Sequence, residues 1–395
     1  KFKEKLFFGK VRRPNGFLFW FHAASIGEFN SILPIVNYYL QKNEGYNFLI
    51  TTVTLTSYNE FKKKFGDNRR VLHQFLPYDL SLLVNNFLKI WRPNIVSFVD
   101  SEIWPNFIFN VRKRNIPLVL LNARITNKTF KRWSFLKKFS NIIFKKFSVC
   151  IASSKHTKKN LEMLNANNIK YFGNIKFCSD IENKKGKFED KFYHIKDKKI
   201  WCAVSTHNGE ELFCSKVQKI LKEKENNTMC IIIPRHVNRN KKILSILQDQ
   251  GLRVQIKDEK DKINKHADIV LINYYGAVQV FLSNIKNVFI GKSLVKKLDK
   301  VGGQNPIEAA KMNCSIFHGP YVSNFYEIYE YLRKQSFAQE INDVEDLASE
   351  LLKKFNKNNE LFDNSKMEEL KHYSETIFKN VIKEYDILIN ENFKT

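Results

Sequence analysis

Short runs of apolar residues alternate along the chain with longer stretches in which apolar residues recur at helical spacing. Apolar runs of about four to eight residues predict strands that are buried on both faces. In the first half, strands are predicted at Phe17–His22, Phe48–Thr52, Val71–Leu76, Ile95–Val99, Leu118–Leu121 and Val149–Ala152. Helices between them are predicted at Phe29–Gln41, Leu82–Trp91 and Asn106–Arg114. This alternation indicates a parallel sheet covered by helices.

The alternation is interrupted at Ser179–Lys199, where charged and polar residues dominate and a linker is predicted. Beyond it, strands are predicted at Ile200–Val204, Met229–Ile233, Ile269–Ile272 and Val288–Ile290, with helices at Glu210–Lys222 and Lys241–Gln250 and a mostly helical tail from Asp363 to Asn390. A chain of 395 residues is too long for one ordinary core. We therefore predict an α/β protein with two Rossmann-like domains facing a cleft, at residues 1–180 and 181–395.

Charge is distributed unevenly between the two halves. Residues 1–180 hold 30 Lys and Arg against 10 Asp and Glu, whereas residues 181–395 hold 36 against 30. Such a field attracts nucleic acid, an anionic membrane or an acidic ligand. The alternative explanation for the high positive charge is drift in composition, because Lys, Asn, Ile and Phe are abundant throughout the chain. The six cysteines form no C-x-x-C pair and lie mostly in apolar stretches, which predicts buried, reduced thiols.

Several enzyme classes lose support because their motifs are absent from the sequence. The chain has no G-x-G-x-x-G, no G-x-S-x-G and no H-E-x-x-H, and Gly291-Lys292-Ser293 lacks the earlier glycine of a P-loop. The nine histidines show no zinc-ligand spacing, so no metal site is predicted. No run of about 18 apolar residues is present, so no transmembrane helix is predicted.

In parallel sheets ligands bind where strands end, and carboxylates follow two predicted strand ends in the first half. Glu28 stands a few residues after a strand that ends at His22, where it could act as a general base toward a hydroxyl. The alternative is a capping box, Ser25-x-x-Glu28, in which the carboxylate only satisfies a backbone N–H. Glu102 follows the strand that ends before Asp100, and it has a similar alternative role at a helix start.

The first strand of the second half is followed by Ser205, Thr206 and His207, which together with a helix start could bind an anion. Here too a capping box, Asn208-x-x-Glu211, is an alternative explanation.

Two further segments of the second half offer anion or nucleotide contacts. Arg235 follows the next strand, and its planar guanidinium suits phosphate or carboxylate. Gly302 and Gly303 could let the backbone approach a ligand, while Asn305 is predicted to cap a helix and Glu308 to bind ribose hydroxyls.

The stretch Lys128–Phe147 interleaves aromatic and basic residues. A basic helix rich in aromatics can lie on an anionic membrane, but such aromatics are also typical of a core, and both alternatives stay open.

Taken in order, these motifs resemble the 3-deoxy-D-manno-octulosonic acid (Kdo) transferases of lipopolysaccharide synthesis. The matching strings are HAASIGE, TTVTLTS, LPYDL, SEIWPN, NARIT, GNIKF, STHNGEE, IPRH, VGGQNPIE and HGPYVSNF. Each string is weak alone, but ten in one order over most of the chain are specific. The resemblance implies a glycosyltransferase B-type fold that moves Kdo, with inversion, from CMP-Kdo to a phosphorylated lipid A precursor and releases CMP.

The resemblance also implies roles for individual residues. Glu28 would be the catalytic base, with Ser25, Glu102 and Arg124 on the acceptor side. The donor would be bound by Ser205, Thr206, His207, Arg235, Gly302, Gly303, Asn305 and Glu308. Neither a cofactor nor a dissociable metal would be needed, and no nucleic acid would be bound. The protein would act at the cytoplasmic face of the bacterial inner membrane, peripherally or through an N-terminal anchor preceding Lys1.

Some donor-side residues depart from the family pattern. Lys292 stands where a second glycine is usual, Gln304 replaces a histidine, and Ala277 replaces a glutamate. Two other functions therefore remain as alternatives. One is a different two-domain sugar-nucleotide enzyme, either another glycosyltransferase or an epimerase. The other is a basic nucleic-acid-binding protein, which explains the carboxylates at strand ends poorly because they would repel phosphates.

Overall fold

The computed structural model describes residues 5, 12–66, 68–179, 195–356 and 364–393. The chain forms two compact units, the first comprising Lys1–Asp180 and Lys371–Thr395 and the second Ile181–Leu370. Each unit is built on a seven-stranded sheet in which neighbouring strands are parallel. The predicted α/β class with two Rossmann-like domains is confirmed.

In the first unit the sheet order is β3-β2-β1-β4-β5-β6-β7. Its strands are β1 (Phe17–His22), β2 (Tyr46–Thr52), β3 (Val71–Phe75), β4 (Ile95–Val99), β5 (Leu118–Ala123), β6 (Val149–Ala152) and β7 (Ile169–Tyr171). Its helices are α1 (Ile26–Lys42), α2 (Leu55–Phe65), α3 (Ser81–Trp91), α4 (Pro105–Lys113), α5 (Asn127–Phe135), α6 (Lys137–Phe144) and α7 (Lys155–Met163). The central strands β1 and β4 are buried on both faces, which explains their unbroken apolar runs.

In the second unit the sheet order is β10-β11-β9-β8-β12-β13-β14. Its strands are β8 (Lys199–Thr206), β9 (Thr228–Pro234), β10 (Val254–Lys257), β11 (Ile269–Ile272), β12 (Asn287–Ile290), β13 (Ser315–His318) and β14 (Ala338–Glu340). Its helices are α8 (Glu210–Lys224), α9 (Asn240–Gln248), α10 (Val278–Asn284), α11 (Ile307–Lys311), α12 (Tyr326–Lys334) and α13 (Val344–Asn356). Most of the linker predicted at Ser179–Lys199 lies outside the described residues.

Most of the last helix, α14 (Asn364–Asn392), belongs to the first unit, which includes the chain from Lys371 on, although the sequence placed the tail in the second. Its apolar stripe includes Ile377, Val381 and Tyr385, which are fully buried. The Tyr385 hydroxyl lies 2.7 Å from Ser97 Oγ of β4. Residues spaced by four along a helix share one face, so this stripe needs a second surface to cover it, and the first unit supplies that surface.

All six cysteines are buried free thiols, as the sequence predicted. Burial raises the pKa of the Cys150 thiol well above its usual range, which keeps the thiol protonated and unreactive.

Candidate active site

The first candidate site lies where the strand order of the first sheet reverses. From β1 the chain continues to β2 on one side, and after β3 it crosses to β4 on the other side. A crevice opens between the carboxyl ends of two strands at such a point, and ligands bind there in doubly wound sheets. The segments His22–Glu28 and Asp100–Glu102 follow β1 and β4, so both predicted carboxylates lie at this crevice.

Glu28 lies in the first turn of α1, whose N-cap is Ser25. Its Oε2 accepts a hydrogen bond from Ala24 N–H at 2.7 Å, and its Oε1 accepts one from Ser25 Oγ at 2.9 Å. The Glu28 N–H donates in turn to Ser25 Oγ at 3.3 Å, so the serine half of the capping box is present, while the carboxylate accepts from the residue before the N-cap. The surface beside it is open, because a Cβ added at Gly27 would meet nothing within 4 Å.

Burial and the negative charge of Asp100, with a smaller contribution from Glu102, raise the pKa of the Glu28 carboxyl above its usual range. The hydrogen bonds from Ser25 and Ala24 oppose this effect without cancelling it. A carboxylate whose pKa is raised toward the working pH is a better general base. The geometry therefore allows Glu28 to cap the helix and to accept a proton.

Glu102 has a different environment from Glu28. Its Oε2 lies 3.2 Å from His22 Nε2 and accepts a hydrogen bond from Trp104 Nε1 at 2.8 Å. Burial acts to raise the pKa of Glu102, but the contacts with His22 and Trp104 outweigh it, so the pKa is lowered. Two carboxyl groups of one site whose pKa values move in opposite directions are typical of acid–base centres.

His22, the last residue of β1, orients the Glu102 carboxylate. The imidazole is fully buried, and its Nδ1 lies 3.1 Å from the Thr51 carbonyl oxygen and 3.0 Å from Thr51 Oγ1. Because both ring nitrogens are engaged, the position of Glu102 is tied to the ends of β1 and β2.

Asp100 is a third carboxylate, which the sequence analysis did not single out. Its backbone lies in the left-handed region, with φ of 56°, a conformation that costs a non-glycine residue about 1–3 kcal/mol. Its Oδ1 accepts a hydrogen bond from Asn122 Nδ2 at 2.6 Å, and its Oδ2 lies 2.7 Å from Lys176 Nζ. The only sequence signal for Lys176 was its place in the GNIKF string.

Arg124 and Ser25, the other predicted acceptor-side residues, also lie at this edge. The Arg124 N–H donates to the Asp100 carbonyl at 3.0 Å, and the Arg124 carbonyl accepts from Ser101 Oγ at 3.1 Å. Ser25 is exposed at the start of α1. The structure thus brings together the four residues that the sequence assigned to this side.

The aromatic and basic stretch Lys128–Phe147 forms the helical hairpin α5–α6, whose apolar residues lie on one buried and one exposed face. One face packs on the core of the first unit through Phe130, Trp133, Ile143, Phe144 and Phe147. The other face is exposed, with Phe135 89% exposed, Leu136 51%, Phe139 40% and Ile142 51%. Exposed basic side chains border this apolar face, namely Lys131, Arg132, Lys137 and Lys138.

The second candidate site lies at the corresponding reversal of the second sheet, between β8 and β12. His207 follows β8, and its Nδ1 donates to the Ser205 carbonyl at 3.0 Å. Arg235 follows the neighbouring strand β9 and is exposed, while its N–H donates to the Thr206 carbonyl at 3.1 Å. Burial lowers the pKa of the His207 imidazole. Thr206 is fully buried, and its hydroxyl has no hydrogen-bond partner among the described residues.

The helix start after His207 differs from the capping box considered for it. The N-cap of α8 is Gly209, and Asn208 makes no side-chain cap. Glu211 instead forms a two-point ion pair with Arg239, at 3.0 and 3.1 Å. That alternative is wrong, because Glu211 is drawn away from the helix start by a buried, charge-assisted pair.

Glu210, which the sequence analysis passed over, organises the loops at this edge. Its fully buried carboxylate accepts hydrogen bonds from the N–H groups of His207 at 2.8 Å, Lys292 at 2.7 Å, Ser293 at 2.8 Å and Leu294 at 3.1 Å. A buried carboxylate is stable when several N–H groups compensate its charge, so these bonds join the loops after β8 and β12.

The two glycines after β12, Gly302 and Gly303, pack closely against the backbone of residues 321 and 322. A Cβ at Gly302 would overlap the Tyr321 carbonyl oxygen, and Gly303 adopts a φ of 88°. This close packing is a structural reason for both glycines that the sequence analysis did not foresee. Asn305 was predicted as the N-cap, but the N-cap of α11 is Pro306; Asn305 lies one residue earlier, where its Oδ1 accepts from Ile307 N–H at 3.1 Å. Glu308 lies half-buried in the first turn of α11.

Across the ranges that the structure describes, His, Cys, Asp and Glu side chains form no group of three that could hold a metal ion. No helix in the described parts of the chain is long and apolar enough to cross a membrane.

Comparison with known proteins shows which family the sequence of this chain matches. A model of the 3-deoxy-D-manno-octulosonic-acid transferase (kdotransferase) family matches residues 1–179. The chain is 31% identical over 387 residues to the 3-deoxy-D-manno-octulosonic acid transferase of Rickettsia bellii, covering 98% of this chain and 89% of the relative.

Solved structures resemble the whole chain at low sequence identity. A glycosyltransferase from Rickettsia africae superposes with a TM-score of 0.61 at 17% identity, covering 97% of this chain and 100% of the other. The UDP-GlcNAc 2-epimerase of Neisseria meningitidis superposes with a TM-score of 0.61 at 11% identity, covering 93% and 100%. At these identities the likeness concerns the fold, which glycosyltransferases and epimerases share.

The fold is that of B-type glycosyltransferases, with two parallel α/β sheets and polar residues at both strand-order reversals, and the relatives show that the chain is a glycosyltransferase. Within that class, the chain belongs to the 3-deoxy-D-manno-octulosonic acid transferase family. The resemblance found in the sequence is confirmed.

Proposed function

We propose that this protein transfers Kdo from CMP-Kdo to a hydroxyl group of a phosphorylated lipid A precursor at the membrane surface. Glu28 acts as the general base. The observation that carries the proposal is the Glu28 carboxyl at the crevice of the first sheet, with its pKa raised and open surface beside it.

The proposed chemistry is a single displacement. The acceptor oxygen forms a bond to the anomeric carbon of Kdo as the bond from that carbon to the CMP phosphate oxygen breaks. The acceptor proton passes to Glu28, and CMP leaves with the bonding electron pair. One displacement inverts the anomeric configuration, and this route requires no cofactor.

Glu28 suits the role of base better than Glu102 does. Both hydrogen bonds to Glu28 come from its own helix start and leave acceptor capacity on the carboxylate, since each oxygen has two lone pairs. Glu102 has one oxygen engaged by His22 and Trp104, and its pKa is lowered, which makes it a weaker base. Glu102 therefore serves to orient the acceptor and to keep the pKa of Glu28 raised.

The second unit is proposed to bind the donor. Arg235 and the helix start after His207 contact the phosphate, since a guanidinium and free backbone N–H groups both bind phosphate oxygens. Ser205, Thr206, Gly302 and Gly303 shape the loops around it. Asn305 and Glu308 lie beyond β12 and are proposed to bind the ribose.

The hairpin α5–α6 supports a lipid acceptor. An apolar face with Phe135 89% exposed and Lys and Arg around it suits the boundary between acyl chains and anionic headgroups. The excess of 30 basic over 10 acidic residues in 1–180 adds attraction for a phosphorylated lipid. Bound in this way, the protein would act at the cytoplasmic membrane face as a peripheral enzyme.

The proposed reaction is tested by measuring CMP release from CMP-Kdo with and without a lipid A precursor in detergent. We expect release that depends on the acceptor, no release from UDP-GlcNAc, and loss of release in Glu28→Gln. Glu60→Gln, a surface change in α2, is the matched control and should keep the wild-type rate. Acceptor-independent hydrolysis, or no release beside an active reference enzyme, would refute the proposal.

The membrane contact is tested separately by sedimentation with anionic and zwitterionic vesicles. Phe135→Ser should weaken binding to anionic vesicles, and added salt should weaken it further because surface charges are screened. Tyr275→Ser, which changes a side chain 71% exposed in the second unit, is the control. Equal binding of Phe135→Ser and wild type would contradict the role of the hairpin.

A further inference from the structure

Lys292 occupies a backbone conformation that favours glycine. Its φ is 62°, in the left-handed region, at the carboxyl end of β12 where the family resemblance leads one to expect a glycine. A lysine there carries a conformational penalty that glycine avoids. Residues held in such conformations cluster at functional sites, where the surrounding contacts enforce them.

The contacts around Lys292 hold its backbone on both sides. Its N–H donates to Glu210 Oε2 at 2.7 Å, and its carbonyl accepts from Gly303 N–H at 2.7 Å. Gly291, the preceding residue, fits tightly, because an added Cβ would lie 2.7 Å from Glu210 Oε2 and 2.7 Å from Thr206 Cα. These three contacts therefore fix the backbone at Lys292.

The strand order places Lys292 at the edge of the sheet that holds the proposed phosphate site. In the sheet, β12 pairs with β8 and β8 pairs with β9, with Ile290 opposite Val204 and Thr206 opposite Pro234. Lys292, His207 and Arg235 therefore follow three adjacent strand ends, about 5 Å apart from strand to strand. Burial is the largest cause of the lowered pKa of His207, and the positive charge of Lys292 adds to it.

We propose that Lys292 binds the phosphate of the CMP moiety and thereby stabilises the leaving group. This inference rests on the proposed function. A lysine ammonium is a compact charge that binds phosphate, and it complements the planar guanidinium of Arg235 on the neighbouring side of the crevice. The carboxylate of Glu210 accepts hydrogen bonds from the four loop N–H groups and so holds the loop on which Lys292 lies. The lysine is thus a donor contact particular to this sequence.

The test compares the binding of CMP and of cytidine by titration calorimetry. Lys292→Met should weaken CMP binding about tenfold and leave cytidine binding unchanged, because only CMP carries the phosphate. Lys292→Arg should retain most of the affinity. Lys297→Met, which removes an exposed lysine of the same loop, is the matched control and should bind CMP as wild type does.

Lys292→Gly separates binding from folding. Glycine adopts a φ of 62° without a Cβ penalty, so this variant should unfold at the wild-type temperature or above it and still lose affinity for CMP. A loss of CMP affinity without a loss of thermal stability supports a direct contact.

Three results would overturn the inference. If wild type binds CMP and both Lys292→Met and Lys292→Gly bind it equally well, Lys292 is no phosphate contact, while the proposed function stands. If the variants lose affinity for CMP-Kdo but not for CMP, the lysine binds the carboxylate of the sugar instead. If wild type binds neither CMP nor CMP-Kdo, the proposed function fails and the inference fails with it.

Discussion

Replacing Glu28 by glutamine and by alanine separates its two possible roles, a structural one as a helix cap and a catalytic one as the general base. In the structure its carboxylate accepts hydrogen bonds from Ala24 N–H at 2.7 Å and from Ser25 Oγ at 2.9 Å. Glutamine can still accept the first bond and meet the serine hydroxyl with its amide, as in capping boxes that use Gln. Alanine loses both contacts.

The two substitutions should therefore differ in stability but not in chemistry. Loss of a cap costs about 1 kcal/mol, so Glu28→Ala should lower the melting temperature by about 2–4 °C, and Glu28→Gln should change it by less than about 1 °C. Both variants lack a base, which should reduce the rate of CMP release by about 10²- to 10⁴-fold. Thermal unfolding followed by circular dichroism, together with the release assay, measures both effects.

Ser154→Ala is the matched control for the capping effect. Ser154 is the N-cap of α7 and accepts a hydrogen bond from Thr157 N–H at 3.0 Å, as Ser25 does for Glu28 in α1. This variant should lose about 1 kcal/mol of stability and keep its activity. If Glu28→Gln retains a rate within about threefold of wild type, a factor far below the contribution of a general base, Glu28 is only a cap and the mechanism is refuted.

Three further changes test the electrostatics and the packing. Asp100→Asn removes a negative charge that raises the pKa of Glu28, so that pKa should fall and the acidic limb of the kcat/KM profile should move to lower pH; an unmoved limb would show that Glu28 is not the titrating base. Glu210→Ala leaves four loop N–H groups without their acceptor and should destabilise the second unit by about 3 kcal/mol or more in denaturant unfolding, whereas a change below about 1 kcal/mol would mean that the loops pair otherwise. Asp386→Ala removes an acceptor of the buried Tyr39 hydroxyl at 2.8 Å and should cost about 1–2 kcal/mol by the same measurement; unchanged stability would show that this hydrogen bond does not stabilise the docking of α14.

Most strands with strong apolar patterns were predictable. The central strands β1, β4, β8, β9 and β12 were predicted to within a few residues, because burial on both faces produces unbroken apolar runs. The interior strand β13 was missed although it is mostly buried, because only two of its four residues are apolar. The edge strands β7, β10 and β14 escaped prediction, since they are short and contain few apolar residues. Helix α2 was missed because its sequence is dominated by polar residues and lysines.

The same distinction holds for the candidate site. Glu28 and Glu102 could be found from their positions at strand ends, because parallel strands present their carboxyl ends at one edge. The partners that set their pKa values, His22 and Asp100 among them, come from segments far apart in the sequence, and their mutual distances depend on strand order. The role of Glu210 was invisible for the same reason, since its acceptor bonds reach residues 292–294.

By itself, the sequence determined the α/β class, the two-domain organisation, the family and the strand ends at which chemistry is placed. These depend on local periodicity and on short motifs, which are properties of neighbouring residues. Only the tertiary structure decided which carboxylate has its pKa raised, which face of the hairpin α5–α6 is exposed, and that α14 packs on the first unit. Burial and charge proximity arise between residues distant along the chain, so no local pattern records them.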